Sequence, residues 1–367
     1  MGLSANSDYT GQTVVEAGSV LRVLNRKSAL GAVGASAGTL VHGKLALAAD
    51  IGQAGRLVIG ETLSLGPGSE LKASGGTFFP SGIELTGGLT IQGPGTGTLT
   101  TNGWAEFHIP SRIAGPGELV IASDTTILGG DSNTMSGTVR VSVASVANEV
   151  RMVLDKNAPG VIAIAADTLV IDPSTADCEL VVETRQDEQI ADDCHVQISD
   201  GSSLVIGNVS ARTETIGSLT LSGSEPTVEG AGNAPLLAGA GLASILLDTR
   251  VEAPLTLVHC DGVIFLNANA NLMRSGNAII RKTGRGRLEL GFNQTSVPIQ
   301  IADGVVTLRG DTSQPVFLDG GGLTGDGTAG GGVTSQAGGG HMAPFGNASA
   351  TGILSTGALN LNAATSL

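Results

Sequence analysis

A short apolar strand closed by glycine recurs along the chain, and this recurrence restricts the fold more than any other feature of the sequence. Copies of the unit are 55–60 (GRLVIG), 203–207 (SLVIG), 218–223 (SLTLSG) and 287–291 (RLELG). Apolar and polar residues alternate within it, which is typical of a half-buried β-strand. One strand of this length cannot bury its own apolar face, so it has to stack on neighbouring copies. The recurrence therefore predicts a solenoid.

A Gly-Pro-Gly corner followed by a leucine indicates the repeat length. It begins at Gly66, Gly93 and Gly115, so successive corners are separated by roughly two dozen positions, a spacing typical of solenoids. Coils of about 22 residues have room for two or three strands of roughly 4 to 6 residues, with Gly, Asn or Asp at corners that need a positive φ. We therefore predict an all-β, single-chain right-handed parallel β-helix of about 15 to 17 coils, on the order of 75 Å long at the usual strand spacing.

The amino-acid composition agrees with thin layers of sheet and argues against several classes of partner. Aromatic residues make up only 2% of the chain, so the core must consist of Val, Leu, Ile, Ala and Thr. The net charge of −14 repels phosphate backbones, which argues against nucleic acid as a partner. A single Trp and a single Tyr offer few faces on which nucleobases or sugar rings could stack. No cofactor is expected.

The whole chain, 1–367, is predicted to be one continuous solenoid with three parts. Residues 1–142 carry regular repeats, 143–280 form less regular coils with acidic loops, and 281–367 carry regular glycine-rich repeats. The first residues have no signal-peptide pattern, and no apolar stretch is long enough to span a bilayer. We therefore expect no membrane segment in these residues.

Cysteine and histidine residues are candidate metal ligands in this sequence. Cys178, Cys194 and Cys260 are too few for a disulfide framework, although two of them could form a bridge in an oxidising compartment. The adjacent pairs Cys194-His195 and His259-Cys260 suggest zinc ligands. The two pairs are separated by about three coils, or roughly 14 Å along the axis, which is too far for shared ligation.

Acidic residues are dense from 177 to 193, where Asp192 and Asp193 are adjacent. Such a segment could bind Ca²⁺, but it lacks the regular glycine and aspartate spacing of calcium-binding β-rolls. The adjacent pair also invites comparison with β-helical polysaccharide hydrolases, in which paired carboxylates protonate a leaving group and activate water. The companion motifs of those enzymes are absent, so we interpret the segment as a solvated loop.

Arg281, Lys282, Arg285 and Arg287 form the basic cluster of the sequence. It could recognise an anionic glycan or an acidic chain, and solvated corner residues explain it equally well. No Gly-x-Ser-x-Gly elbow opens a helix and the five histidines are dispersed, so nucleophilic catalysis has no candidate. We expect no catalytic, cofactor-binding or metal-binding residues.

Two segments begin with a threonine-glycine opening and continue as apolar strands with glycine corners. They are 9–31 (YTGQTVVEAGSVLRVLNRKSALG) and 282–311 (KTGRGRLELGFNQTSVPIQIADGVVTLRGD). Both resemble the autotransporter-associated β-strand repeats of passenger regions in bacterial surface proteins. The resemblance implies a right-handed β-helix that is exported from a Gram-negative-type cell and has a structural, adhesive or display role. It brings no catalytic residues.

The function expected from the sequence is that of a non-enzymatic passenger module of a secreted or cell-surface bacterial protein, a stiff rod for surface contact or display. A surface glycan or protein could be its partner, and exposed terminal strands could also lead to end-to-end or lateral self-association. The rival hypothesis is a β-helical polysaccharide-active enzyme that uses Asp192 and Asp193. A trimeric phage or secretion-system fibre is the third alternative.

Overall fold

The structure, a computed structural model, consists of short β-strands, and none of the described residues lies in a helix. The described residues are 2–3, 10–24, 30, 38–48, 55–74, 81–102, 105–143, 149–159, 161–173, 179–199, 202–206, 214–216, 218–221, 227–230, 249–251, 256–259, 263–274, 279–344 and 353–367. They accordingly contain no helix that could cross a membrane. The chain divides into two compact units, Met1–Cys194 and His195–Leu367. The predicted all-β class is confirmed, and one continuous solenoid over 1–367 stays a prediction.

In unit 1 (Met1–Cys194) the chain passes in turn through three parallel sheets. Sheet I contains Gly2–Leu3, Val20–Val23, Lys44–Ala48, Ser69–Ser74, Thr96–Asn102, Glu118–Ala122, Thr138–Val141 and Thr168–Ile171. Sheet II contains Thr13–Val15, Gly38–Val41, Thr62–Leu65, Leu89–Ile91, Ile113–Gly115 and Thr134–Met135. Sheet III contains Gly55–Ile59, Ser81–Leu85, Ala105–Ile109, Thr125–Leu128, Glu149–Leu154 and Glu179–Thr184. Neighbouring strands in each sheet come from successive coils, which is the predicted parallel stacking.

Inward-facing residues of successive coils stack into apolar ladders, which form the core of unit 1. In sheet I, Leu45, Leu71 and Leu99 occupy one register position and are fully buried. In sheet III, Ile83 pairs with Phe107 in the same way. Burying each such side chain contributes about 1.5–3 kcal/mol, so a ladder of this length stabilises the stack. The core composition predicted from the low aromatic content agrees with these ladders.

The Gly-Pro-Gly corners of the predicted repeat stack on one another in unit 1. A Cβ atom placed on Gly95 would lie 2.6 Å from Cβ of Pro67, and one placed on Gly93 would lie 2.9 Å from Cγ of Pro116. The amide of Glu118 also donates a hydrogen bond to the carbonyl oxygen of Gly95, at 2.8 Å. Glycine is needed at these positions because the neighbouring corners leave no room for a side chain.

In unit 2 (His195–Leu367) most strands belong to two parallel sheets. Sheet IV contains His195–Ile198, Ser218–Leu221, Thr256–His259, Ile280–Thr283, Ile299–Ile301, Val316–Leu318, Val333–Ser335 and Leu359–Asn360. Sheet V contains Glu214–Ile216, Thr249–Val251, Val263–Arg274, Arg287–Thr295, Val305–Leu308, Gly322–Gly325, Gly340–Pro344 and Thr365–Ser366. The remaining strands are the pair Ser202–Ile206 and Thr227–Gly230 and the short ladder Asp311–Thr312, Thr328–Ala329 and Ser355–Thr356.

Coil length varies along the chain. In sheet I, Lys44 and Glu70 share a register position on neighbouring strands and are 26 residues apart in the chain. In sheet V, Thr307 and Thr324 share a register position and are 17 residues apart. A step of the predicted length, 22 residues, separates Thr96 from Glu118 in sheet I. The short coils of unit 2 turn at Gly320 and Gly332, whose φ angles are positive.

Candidate functional site

The two carboxylates considered for catalysis, Asp192 and Asp193, lie on an exposed turn of unit 1. The turn is closed by a hydrogen bond from the amide of Cys194 to the carbonyl oxygen of Ala191, at 2.9 Å. Carboxyl groups that cleave a glycosidic bond face that bond from two sides and are roughly 5–9.5 Å apart. On this turn both carboxylates are in solvent, as the interpretation of the acidic segment as a solvated loop requires. That interpretation was wrong for Glu179–Thr184, which is a strand of sheet III with Glu183 buried, because the apolar residues Leu180 and Val182 hold the strand in the core.

The cysteine and histidine candidates fall only partly within the described residues. Cys194 is buried, whereas Cys178 and Cys260 lie outside the described residues. His195 is partly exposed, and burial lowers the pKa of its imidazole. The side chain of His259 also lies outside the described part. Where side chains are described, no group of three or more His, Cys, Asp or Glu residues could hold a metal ion.

The basic cluster predicted at 281–287 is only partly at the surface. Arg285 and Arg287 are exposed, but Lys282 is fully buried at an inward position of its strand. The ammonium group of Lys282 donates hydrogen bonds to the carbonyl oxygens of Thr283 (2.8 Å) and Gly284 (2.6 Å). These bonds compensate for removing the charge from water. The prediction of Lys282 as a surface residue was therefore wrong, because strand alternation decides its direction.

A group of interacting charged and polar side chains lies on the outward face of sheet III in unit 1. This sheet III cluster consists of Arg56, Glu84, Glu106 and His108, which come from three consecutive strands. Each of the four is adjacent in its strand to an inward-facing apolar residue, so the period of two places them on one face.

Arg56 reaches across the middle strand of the cluster to Glu106. Its Nε donates a hydrogen bond to Oε1 of Glu106 at 3.1 Å, and its Nη2 donates to the same oxygen. Gly82 lies between the two residues in the register, and a Cβ atom there would be 2.8 Å from Cγ of Glu106. The missing side chain allows the ion pair to span two coil steps, roughly 9–10 Å.

His108 completes the cluster as a hydrogen-bond acceptor. Its Nδ1 lies 3.0 Å from Nη1 of Arg56, and because arginine can only donate, the ring proton must be on Nε2. Burial and then the charge of Arg56 lower the pKa of His108, although Glu84 and Glu106 act in the opposite direction. The imidazole is therefore neutral at neutral pH, and its 3.9 Å approach to Glu84 is not an ion pair there.

The sheet III cluster acts as a clamp between coils, because its hydrogen bonds run between side chains of different strands. Similar clamps are Lys44–Glu70 at 2.7 Å and Arg140–Glu118 at 2.9 Å in unit 1, and Arg309–Glu289 at 2.7 Å in unit 2. These pairs are not visible in the sequence pattern, since the partners are a whole coil or more apart. Opposite charges at outward positions one coil apart are the signal that could have found them.

Comparison with known proteins gives no relative: no protein-family model, no curated protein and no solved structure matches the chain.

Proposed function

We propose that this chain is a non-enzymatic structural or adhesive passenger module of a secreted or cell-surface bacterial protein. The observation that carries the proposal is the pairing of outward charges with partners one or two coils away. Together with the inward apolar ladders, these pairs tie each coil to the next. Such a stack resists deformation, which suits a part that presents a surface or holds another domain away from the cell.

Glu183, at an outward position of sheet III, is held by ion pairs that cover it almost completely. Its side chain is only 2% exposed, and it accepts hydrogen bonds from Arg151 at 3.3 Å and from Arg185 at 3.1 Å. An exposed ion pair contributes about 0–1 kcal/mol, whereas breaking a buried pair leaves an uncompensated charge and costs several kcal/mol. The pair thus favours one register of the stacked coils, which supports a structural role.

Display at the cell surface tests the proposal directly. The chain is fused between a signal peptide and a β-barrel anchor in a Gram-negative host, with an epitope at its N-terminal end. We expect the epitope to be accessible on intact cells and the chain to resist added protease, since stacked strands expose few cleavable segments. The Leu71→Asp variant, which places a charge in a fully buried ladder, should be degraded. Retention of the unaltered chain inside the cell contradicts the proposal.

An assay for polysaccharide cleavage tests the alternative, a β-helical enzyme that uses Asp192 and Asp193. The purified chain is incubated with neutral and acidic polysaccharides, and new reducing ends are measured. The passenger proposal expects no release above that of heat-denatured chain. Release that is lost in Asp192→Asn and Asp193→Asn but kept in Asp167→Asn, a change at another exposed carboxylate, would support the enzyme instead.

A further inference from the structure

The outward face of sheet IV carries a solvent-accessible aromatic ring. In the strand Val316–Leu318 the two end residues are fully buried in the core, whereas Phe317 between them faces outward and is partly exposed. Of the aromatic side chains that the structure describes, Phe107 is buried, so Phe317 is the one that a ligand can reach. An aromatic ring at an outward position is available for stacking against a flat apolar surface.

Polar residues lie on both sides of this ring along the sheet. Gln300 occupies the same register position one coil earlier, and Thr334 occupies it one coil later. Each coil step is about 4.8 Å, so both side chains are within reach of a ligand that covers the ring. A single ring between polar neighbours is much smaller than the apolar centre of a protein–protein interface, which favours a small polar ligand.

A hydrogen-bonded group borders the ring on one side. Asp319 lies two positions after the ring on the same face, and Nε2 of Gln300 donates hydrogen bonds to Oδ2 of Asp319 (3.2 Å) and to Oε1 of Gln336 (3.0 Å). Oδ1 of Asp319 also accepts a bond from the amide of Gly338 at 3.3 Å. These bonds orient the amide and carboxylate groups before a ligand arrives, which lowers the cost of ordering them on binding.

We propose that the Phe317 face, defined as Gln300, Phe317, Asp319, Thr334 and Gln336, binds a neutral, equatorially linked pyranose chain. One side of such a sugar ring presents C–H groups, which stack on an aromatic ring, and its edge presents hydroxyl groups, which bond to amide and carboxylate groups. On this face the ring of Phe317 lies next to the amide of Gln300 and the carboxylate of Asp319. The carboxylate of Asp319 and the net charge of −14 disfavour acidic glycans. The inference rests on the proposed function, since it names the partner of an adhesive module.

Saturation-transfer NMR and titration of the full chain with cellotetraose test this inference. We expect transfer to the C–H protons of cellotetraose and weaker binding of maltotetraose, whose axial linkages curve the chain. Affinity should fall by about tenfold or more in Phe317→Ala and stay within about twofold in Phe317→Tyr, which keeps the ring. The matched control is Val58→Ala, which removes a 43% exposed apolar side chain from sheet III and should leave the affinity unchanged.

A second variant protects the test against a folding defect in Phe317→Ala. Gln300→Ala removes the amide that joins Asp319 to Gln336 and should also weaken cellotetraose binding severalfold. Equal binding by the unaltered chain and both variants, or no binding of cellotetraose at all, overturns the inference. If the chain is displayed normally at the cell surface in that case, the passenger proposal stands. Failure of display contradicts the passenger proposal whatever the sugar result.

Discussion

At the scale of single residues, the interior of the coils contains charged side chains next to corners. Lys156, Lys282 and Glu61 are at most 2% exposed. The ammonium group of Lys156 donates a hydrogen bond to the carbonyl oxygen of Gly129 at 2.6 Å, much as Lys282 binds the turn that follows it. Carbonyl groups at corners lack the regular partners of a strand, so an interior donor can satisfy them. Buried ionisable groups of this kind make stability depend on pH.

Glu61 should make the chain less stable as the pH rises. Burial raises the pKa of Glu61 to about 7 from 4.5, although the hydroxyl of Thr39, which donates a hydrogen bond to Oε1, acts in the opposite direction. The folded chain holds this proton more tightly than the unfolded chain, so the stabilisation is complete below pH 4.5 and is lost as the pH rises to about 7. In urea unfolding, Glu61→Gln should remove up to about 3 kcal/mol of this pH dependence. Identical pH profiles for the variant and the unaltered chain contradict this prediction.

Lys156 should have the opposite effect, in alkaline solution. Burial lowers the pKa of Lys156 to about 8 from 10.5, although the charge of Asp131 acts against it. The folded chain loses this proton at a lower pH than the unfolded chain does. The stabilisation is therefore complete above pH 10.5 and is lost as the pH falls to about 8. In urea unfolding, we expect Lys156→Met to flatten the stability profile in this window. Lys72→Met, at a partly exposed outward position, is the control that should keep the slope.

At the scale of strands, alternation decides which side of the sheet a residue faces, and register decides which residue it meets. The sheet III cluster depends on both, because Arg56 and Glu106 are outward residues of two strands that are not neighbours. Their contact requires that the strand between them contributes no side chain. Gly82 fulfils this requirement, so a glycine within a strand is a functional part of the clamp.

Gly82→Ala should break the Arg56–Glu106 pair. The added Cβ would lie 2.6 Å from the carbonyl oxygen and 2.8 Å from Cγ of Glu106, so the strand or the side chain has to move. We expect a loss of roughly 1–3 kcal/mol in urea unfolding. NMR titration should show the pKa of His108 moving up toward its usual value as Arg56 withdraws. Gly11→Ala, where no atom lies within 4 Å, should change stability by less than about 0.5 kcal/mol.

At the scale of the whole molecule, the described strands of one coil form their backbone ladders with strands of the coils before and after it, so a defect should remain local. Leu71 is fully buried in a ladder of unit 1, and the strand that contains it pairs with Lys44–Ala48 and Thr96–Asn102. Stability in such an array is approximately a sum of terms for single repeats and for neighbouring repeats. Loss of one buried ladder side chain should therefore destabilise only its own coil and one or two neighbouring coils.

Hydrogen exchange of the Leu71→Ala variant tests this locality. The substitution should cost about 2–5 kcal/mol and speed amide exchange in Lys44–Ala48 and Thr96–Asn102. The amides of Val316–Leu318 in unit 2 should keep their protection. Lys72→Ala, at the adjacent outward position, should leave exchange unchanged. An equal loss of protection along the whole chain would show one cooperative unit and contradict the prediction.

The sequence by itself determined the all-β class, the parallel stacking and the glycine corners. These features follow from local chemistry: alternation selects a strand, and Gly-Pro-Gly at Gly93 and Gly115 selects a corner without room for side chains. The sequence also indicated correctly that Asp192 and Asp193 are solvated. It did not indicate that Glu179–Thr184, in the same acidic segment, is a buried strand.

Only the tertiary structure decided which residues meet on the outward faces and which charges are buried. The number of residues between stacked positions changes along the chain, for example from 26 to 17. The separation of Arg56 and Glu106 in the sequence therefore does not reveal that they are in contact. Lys282 lies in the core for a similar reason. The apolar ladder fixes which residues of its strand face inward. The carbonyl groups that accept its hydrogen bonds belong to different coils and lie close together only in the folded stack.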